Sequence, residues 1–343
     1  MMRIVPTAML FFCLTNVALV AAETQTNAEV ETGVVKVTIE GDQRNIPKQY
    51  QLQPDNFPYK LTKVSSSQLA KYLTYKLTFP SAIKSEFPVN DTVHATYYRP
   101  IGKKQFPCVI VLHILGGDQG PGRIIAKSLA QNGVGAVFMH MAYYGPRRPQ
   151  GKGRIRLIST NLLRTMAGIR QTILDVRRLT AWMDSRKEID AENLGIVGTS
   201  LGGFMTALSA EMEPKLSRVA ILLAGGGLAE GLYNHKHPEA AKYRKLYESF
   251  GGNKKLLQIL LAPVDPLTCA ANLKNRKVLM VAAKRDEVVP AAMAEKLWKA
   301  TGRQKIFWYN TTHYGAVLFL MPALRHLREH FQATPTLSKS PNR

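Results

Sequence analysis

Along this chain, short apolar runs alternate with longer stretches in which apolar side chains return every three or four positions. Phe106 to Leu115 is almost unbroken, as are Val134 to Met141, Leu194 to Val197, Val219 to Ala224, Val278 to Ala283 and Ile306 to Tyr309. Runs without polar alternation suit strands covered on both faces. Between them lie helical patterns: Arg123 to a stop at Gly133, a long amphipathic stretch with Leu162, Met166, Ile169, Ile173, Val176 and Met183 on one face, a small-residue segment after Gly198, then Pro290 to Ala300 and about Ala316 to Phe331. Strand and helix in alternation predict an α/β fold, a mostly parallel central sheet with helices on both faces. Ahead of it, Tyr72 to Pro80 and Thr92 to Pro100 largely alternate and predict an antiparallel pair joined through Asn90 and Asp91. The main domain is expected over residues 69–332, after an irregular leader (23–68) carrying one edge strand near Val34 to Glu40. Residues 227–262, rich in Tyr, His and Lys, interrupt the alternation and predict a helical cap insertion over the strand ends; residues 333–343 form a polar tail.

The first 22 residues change the picture of where the chain works. Arg3, an apolar run and a small-residue exit at Ala22 have the form of a secretory signal peptide cleaved after Ala22. A retained anchor is the competing reading, but the run is shorter than the roughly 20 residues that span a bilayer. The expectation is a secreted or periplasmic protein, not integral to a membrane once the signal is removed. Cys13 lies inside that run; Cys108 and Cys269 are too few for a disulfide framework and are expected to be buried thiols.

Charge is strongly one-sided: 46 Lys and Arg against 24 Asp and Glu leave +22. Such a field attracts anions, so an acidic polysaccharide or an anionic envelope surface is a reasonable neighbour. Nucleic acid is not expected, because the basic residues show neither interleaved aromatics nor zinc-finger spacing. His235 and His237 without a nearby carboxylate or cysteine cluster point to a solvated loop, and no metal site is expected.

Candidate chemistry sits where strands end, since ligands of such sheets bind beyond the strands' carboxyl ends. Gly198, Ser200 and Gly202 form G-x-S-x-G between a short apolar strand and a small-residue helix, a sharp turn that pushes the serine out above the sheet. Asp286 follows the strand ending at Ala283, and His313 follows the strand ending at Tyr309. Ser200, Asp286 and His313 have the residue types, order and strand-end positions of a nucleophile, an orienting acid and a general base. Glu287 and Asp265 compete for the acid's place, Asp265 with a helix N-cap as its other role. An oxyanion would be held by the backbone N–H of Leu201 and by that of Leu115, with Ile114 as the alternative, from the loop after His113. His113 itself reads as loop support. Arg147 and Arg148 could hold an anionic substrate such as a sugar-acid ester, or could brace the surface or cap; Tyr144, with Tyr143, could floor the site or simply pack.

These residues make the chain resemble the α/β-hydrolase fold serine hydrolases, particularly the dienelactone-hydrolase-like and prolyl-oligopeptidase-like esterase branch. The resemblance covers about residues 70–332 and rests on Gly198 to Gly202, Arg285 to Pro290, Thr312 to Gly315 and the His113 loop. One departure is Ile114, where many relatives carry glycine. The resemblance implies an ester or amide hydrolase needing no cofactor. The expectation is a carboxylesterase acting on a small or carbohydrate-linked ester through an acyl-serine intermediate. A peptidase or amidase, or a binder of anionic polysaccharide without turnover, are the alternatives.

Overall fold

A computed structural model describes residues 29–37, 43–67, 70–116, 119–151, 155–159, 161–235 and 238–332. The signal segment, Cys13, His237 and the polar tail therefore lie outside the described residues. Its centre is a ten-stranded mixed sheet in the order β1-β2-β3-β4-β6-β5-β7-β8-β9-β10. The strands are β1 (Val30–Lys36), β2 (Asn56–Ser67), β3 (Tyr72–Pro80), β4 (Thr92–Pro100), β5 (Phe106–Leu112), β6 (Gly135–Met139), β7 (Ile189–Thr199), β8 (Leu216–Leu222), β9 (Lys277–Ala283) and β10 (Lys305–Tyr309). The first four are antiparallel, as is the β4/β6 pair, and the other pairs are parallel. Every residue of β5 is buried, which accounts for its unbroken apolar run.

The antiparallel pair expected over Tyr72–Pro80 and Thr92–Pro100 is present in that register. The leader differs from expectation: it carries two strands, of which the twelve-residue β2 lies inside the sheet between β1 and β3. Phe57 and Leu61 of β2 are buried, 1% and 3% exposed. Pro54 and Pro58 obscure the pattern, because proline cannot donate to a ladder and reads as a break.

Helices cover both faces. Ile125 and Leu129 of α1 (Gly120–Gln131) join Leu327 and Phe331 of α8 (Leu320–Phe331) in one core layer. Trp182 of α2 (Leu162–Asp184), Met205 of α3 (Leu201–Met212) and Leu297 of α7 (Ala291–Ala300) fill the other. Helix α2 starts at Asn161, whose side-chain oxygen accepts the Arg164 N–H, an N-cap. Between β8 and β9 the segment expected to form a helical insertion carries α4 (Leu228–Asn234), α5 (Pro238–Ser249) and α6 (Lys254–Leu261). Asp265 accepts from the N–H groups of Gly227 and Leu228, so it caps α4 from a distant segment and takes no part in the strand-end chemistry.

The chain leaves β5 through α1 toward β6 on one side and reaches β7 on the other through α2. This reversal of strand order opens a crevice beyond the ends of β5 and β7. The His113 loop and Ser200 both lie there.

Candidate active site

Ser200 occupies the turn between β7 and α3 with φ 55° and ψ −117°, a left-handed conformation rare for a side-chain-bearing residue. Three glycines make that turn possible. A Cβ on Gly198 would lie 2.2 Å from the Gly202 carbonyl oxygen, and one on Gly202 would lie 2.6 Å from the carbonyl oxygens of both Leu112 and His113. On Gly203 it would lie 2.7 Å from the Leu222 oxygen. The turn is thus pressed against the ends of β5 and β8, and Ser200 N–H donates to Leu222 O at 2.9 Å.

Ser200, Asp286 and His313, 113 residues apart at the extremes, are brought into one hydrogen-bonded chain. His313 Nε2 lies 3.0 Å from Ser200 Oγ, and His313 Nδ1 lies 2.7 Å from Asp286 Oδ2. The other carboxylate oxygen of Asp286 accepts the N–H groups of Val288 (2.9 Å) and Val289 (2.7 Å), which fixes the acid in its loop. Asp286 and His313 are 9% and 8% exposed, shielded enough for these contacts to be little screened. Glu287 binds elsewhere on the same residue, its Oε2 accepting the backbone N–H of His313 at 3.0 Å. Adjacent carboxylates therefore hold one histidine, Asp286 by its ring and Glu287 by its main chain.

His113 is fully buried and both ring nitrogens are used. The Met141 N–H must donate, so Nε2 accepts it at 3.2 Å; Nδ1 then carries the proton and donates to Ile114 O at 2.8 Å. Burial lowers its pKa to about 4, which keeps this neutral tautomer. In a planar trans peptide the carbonyl of Ile114 and the N–H of Leu115 point in opposite directions. With the carbonyl held inward by His113, the Leu115 N–H faces away from the ring, and the Leu115 residue is 47% exposed. Leu201, the first residue of α3, has an N–H with no acceptor inside its own helix.

The arginine pair separates. Arg147 is wholly buried: Nε and Nη2 donate to Asn90 O, Nη1 donates to His140 O, and Nη2 meets Asp175 Oδ2 at 2.7 Å. That corrects its assignment as a substrate ligand, because every arm of the guanidinium is spent inside the fold. Arg148, one residue on, is half-buried with its guanidinium carbon 6.0 Å from the Tyr144 ring centre. Tyr144 is buried and sets its ring edge-on to His113 at 4.7 Å. Tyr143 is core, packed against Phe87. Cys108 is fully buried and Cys269 partly so; both are free thiols.

Residues 36–236 match the family model described as alpha/beta hydrolase domain containing 18. The chain belongs to that family. Residues 169–312 also match the prolyl oligopeptidase family, a stretch that holds Ser200 and Asp286 and stops one residue before His313. This family member is 28% identical over 189 residues to an uncharacterized protein of Mycobacterium tuberculosis, covering 53% of the chain. It spans 43% of that relative's length. Among solved structures it is similar to an acetyl xylan esterase from Paenibacillus sp. R4, with TM-score 0.65, 18% identity and coverage of 79% of this chain and 88% of that one. It is also similar to acetyl xylan esterase 1 from Thermoanaerobacterium sp., with TM-score 0.60, 21% identity and coverage of 80% and 88%. At these identities the likeness is one of fold, and it agrees with the α/β-hydrolase fold implied by the resemblance of the motifs around Ser200, Asp286 and His313.

Proposed function

We propose that this chain is an exported serine hydrolase that cleaves carboxylic esters through an acyl-serine intermediate. The observation that carries the reading is the Ser200–His313–Asp286 chain of hydrogen bonds at 3.0 and 2.7 Å. Ser200 Oγ attacks the ester carbonyl while His313 Nε2 takes its proton; the same proton then goes to the departing alkoxide. Asp286 holds Nδ1–H in place and stabilises the imidazolium formed in between. The N–H groups of Leu201 and Leu115 receive the negative charge on the carbonyl oxygen, with His113 holding the second of these peptides in orientation. Water activated by His313 then releases the acid and restores Ser200.

A fluorophosphonate probe is expected to label the folded protein at Ser200, and short-chain aryl esters to be hydrolysed. Ser200→Ala and His313→Ala should abolish labelling and lower kcat by about four orders of magnitude or more. Folded wild-type protein that neither labels nor turns over aryl esters would overturn the proposal. Amide cleavage is worth measuring in parallel, because residues 169–312 match the prolyl oligopeptidase family.

A further inference from the structure

Two stretches of this chain are apolar in sequence and yet unburied. In α6 only Leu257 is buried, which leaves Leu256, Ile259 and Leu260 facing out. Leu246 of α5 and Phe250, in the turn that leads to α6, are exposed as well, Phe250 by 83%. The second stretch is the short 3-10 helix Tyr314–Phe319, made of Tyr, Gly, Ala, Val, Leu and Phe, none of them buried. Phe319 stacks on Tyr309 and Leu320 packs against the core layer that holds α1 and α8, so the segment is fixed to the sheet by one side. Tyr314, Val317, Leu318 and Met321 are left on the other, Leu318 exposed by 82%. A single exposed leucine needs no explanation, but clusters of this kind mark a surface that something else covers.

Both stretches leave the same edge of the sheet. The insertion follows β8 and the 3-10 helix follows β10; β7, β8, β9 and β10 run parallel, so this is also the edge where Ser200 follows β7. Tyr314 sets its ring edge-on to that of His313, with centres 5.5 Å apart. The charge beside the apolar side chains is mostly of one sign. The sequence of α5 and α6 carries Lys242, Arg244, Lys245, Lys254 and Lys255 against Glu239 and Glu248. Near Tyr314 the exposed cations are Arg285, whose Nη2 donates to Asn310 O, and Arg325, one turn beyond Met321. No Asp or Glu falls between Glu295 and Glu329, and the acid from the facing loop, Glu287, is held on the His313 N–H.

We propose that α5, α6 and the Tyr314–Met321 segment form a docking surface for an anionic lipid bilayer. The apolar side chains enter the boundary between headgroups and acyl chains, and the lysines and arginines stay at the level of the phosphates. A second copy of this chain fits less well, because a two-fold contact sets each patch against its own cations. Docking does not depend on the serine hydrolase reading; it brings the edge of the sheet that carries Ser200 to the lipid surface.

The test is flotation of the full chain with vesicles of phosphatidylcholine alone and of phosphatidylcholine with about 30% phosphatidylglycerol. Wild type is expected to float with the anionic vesicles, at least tenfold more tightly than with the neutral ones, and to be released by about 0.5 M salt. Phe250→Glu with Ile259→Glu, and separately Leu318→Glu, should each weaken partition by about tenfold or more, since each removes an apolar side chain from the lipid and adds a charge of the wrong sign. Lys254→Gln with Lys255→Gln should narrow the difference between the two vesicles. These side chains are exposed, so thermal melts and hydrolysis of a water-soluble aryl ester are expected to stay at the wild-type level. No flotation of wild type, equal binding to neutral and anionic vesicles, or binding undiminished in the glutamate variants overturns the proposal; in the last case another segment, residues 1–22 included, carries the binding. A wild-type dimer in light scattering that the same glutamate substitutions dissociate assigns the apolar faces to a second copy and overturns it too.

Discussion

At the scale of single residues, the clearest departure from ordinary side-chain placement is Glu211 in α3. It is 2% exposed, and neither carboxylate oxygen has a hydrogen-bond partner among the described residues. Burial, with a smaller push from Asp265, raises its pKa well above the usual carboxylate range, so it is held as the neutral acid. An unfolded chain releases that proton above about pH 4.5, whereas the folded chain keeps it. The stability this group permits is therefore complete in acid and declines as pH rises. Relative to Glu211→Gln, which keeps the shape without ionising, wild type should lose stability between pH 5 and 8 on the order of 1 kcal/mol per pH unit until the folded acid ionises. Urea unfolding at both pH values measures it, and parallel curves for the two proteins would refute it. Arg147 and Arg148 give the complementary lesson. They are adjacent and chemically identical, yet one is an internal tie and the other lies half-buried beside the Tyr144 ring.

At the scale of elements, the strand-turn-helix unit β7–Ser200–α3 depends on what is missing from its glycines. The Cβ of an alanine at Gly202 would meet two backbone oxygens, those of Leu112 and His113, and backbone has no rotamer by which to yield. Gly202→Ala should therefore push the turn away from the end of β5 and separate Ser200 from the loop after His113. A stability loss of about 1–3 kcal/mol is expected, in the range of other overpacking substitutions, with a fall in kcat larger than that loss of folded protein explains. A melt and an ester assay on the same preparation separate the two effects; full activity would show that the elbow tolerates the shift.

At the scale of the whole molecule, the N-terminal strands belong to the fold and are not an appendage. Arg177 donates to Tyr50 O and pairs with Glu213, while Arg178 donates to Pro80 O and Ser81 O and pairs with Asp55, so α2 ties the leader to the sheet. A chain starting at Ala70 would lose β1 and β2 and leave the nine-residue β3 as an open edge. Such an edge is a template for pairing between molecules. The truncated chain is expected to aggregate on refolding where the longer one stays monodisperse, as light scattering would report; a soluble, cooperative truncation would contradict this.

Sequence alone determined what depends on near neighbours along the chain. The covered strands showed as unbroken apolar runs because both their faces are buried, the antiparallel pair showed as alternation, and the elbow showed as glycines at fixed spacing around Ser200. The order Ser200, Asp286, His313 was legible because strand-end positions in an alternating α/β chain converge on one edge of the sheet. Tertiary structure alone decided what depends on partners distant in sequence. It made β2 a strand despite Pro54 and Pro58, since a strand's ladder is completed by its neighbours β1 and β3. It gave Asp286 the ring of His313 and Glu287 the main chain, a division set by how two loops meet. It also turned Arg147 inward onto Asp175 while leaving Arg148 beside Tyr144, because the direction of a side chain at a tight turn follows from the packing across it rather than from the residue's own identity.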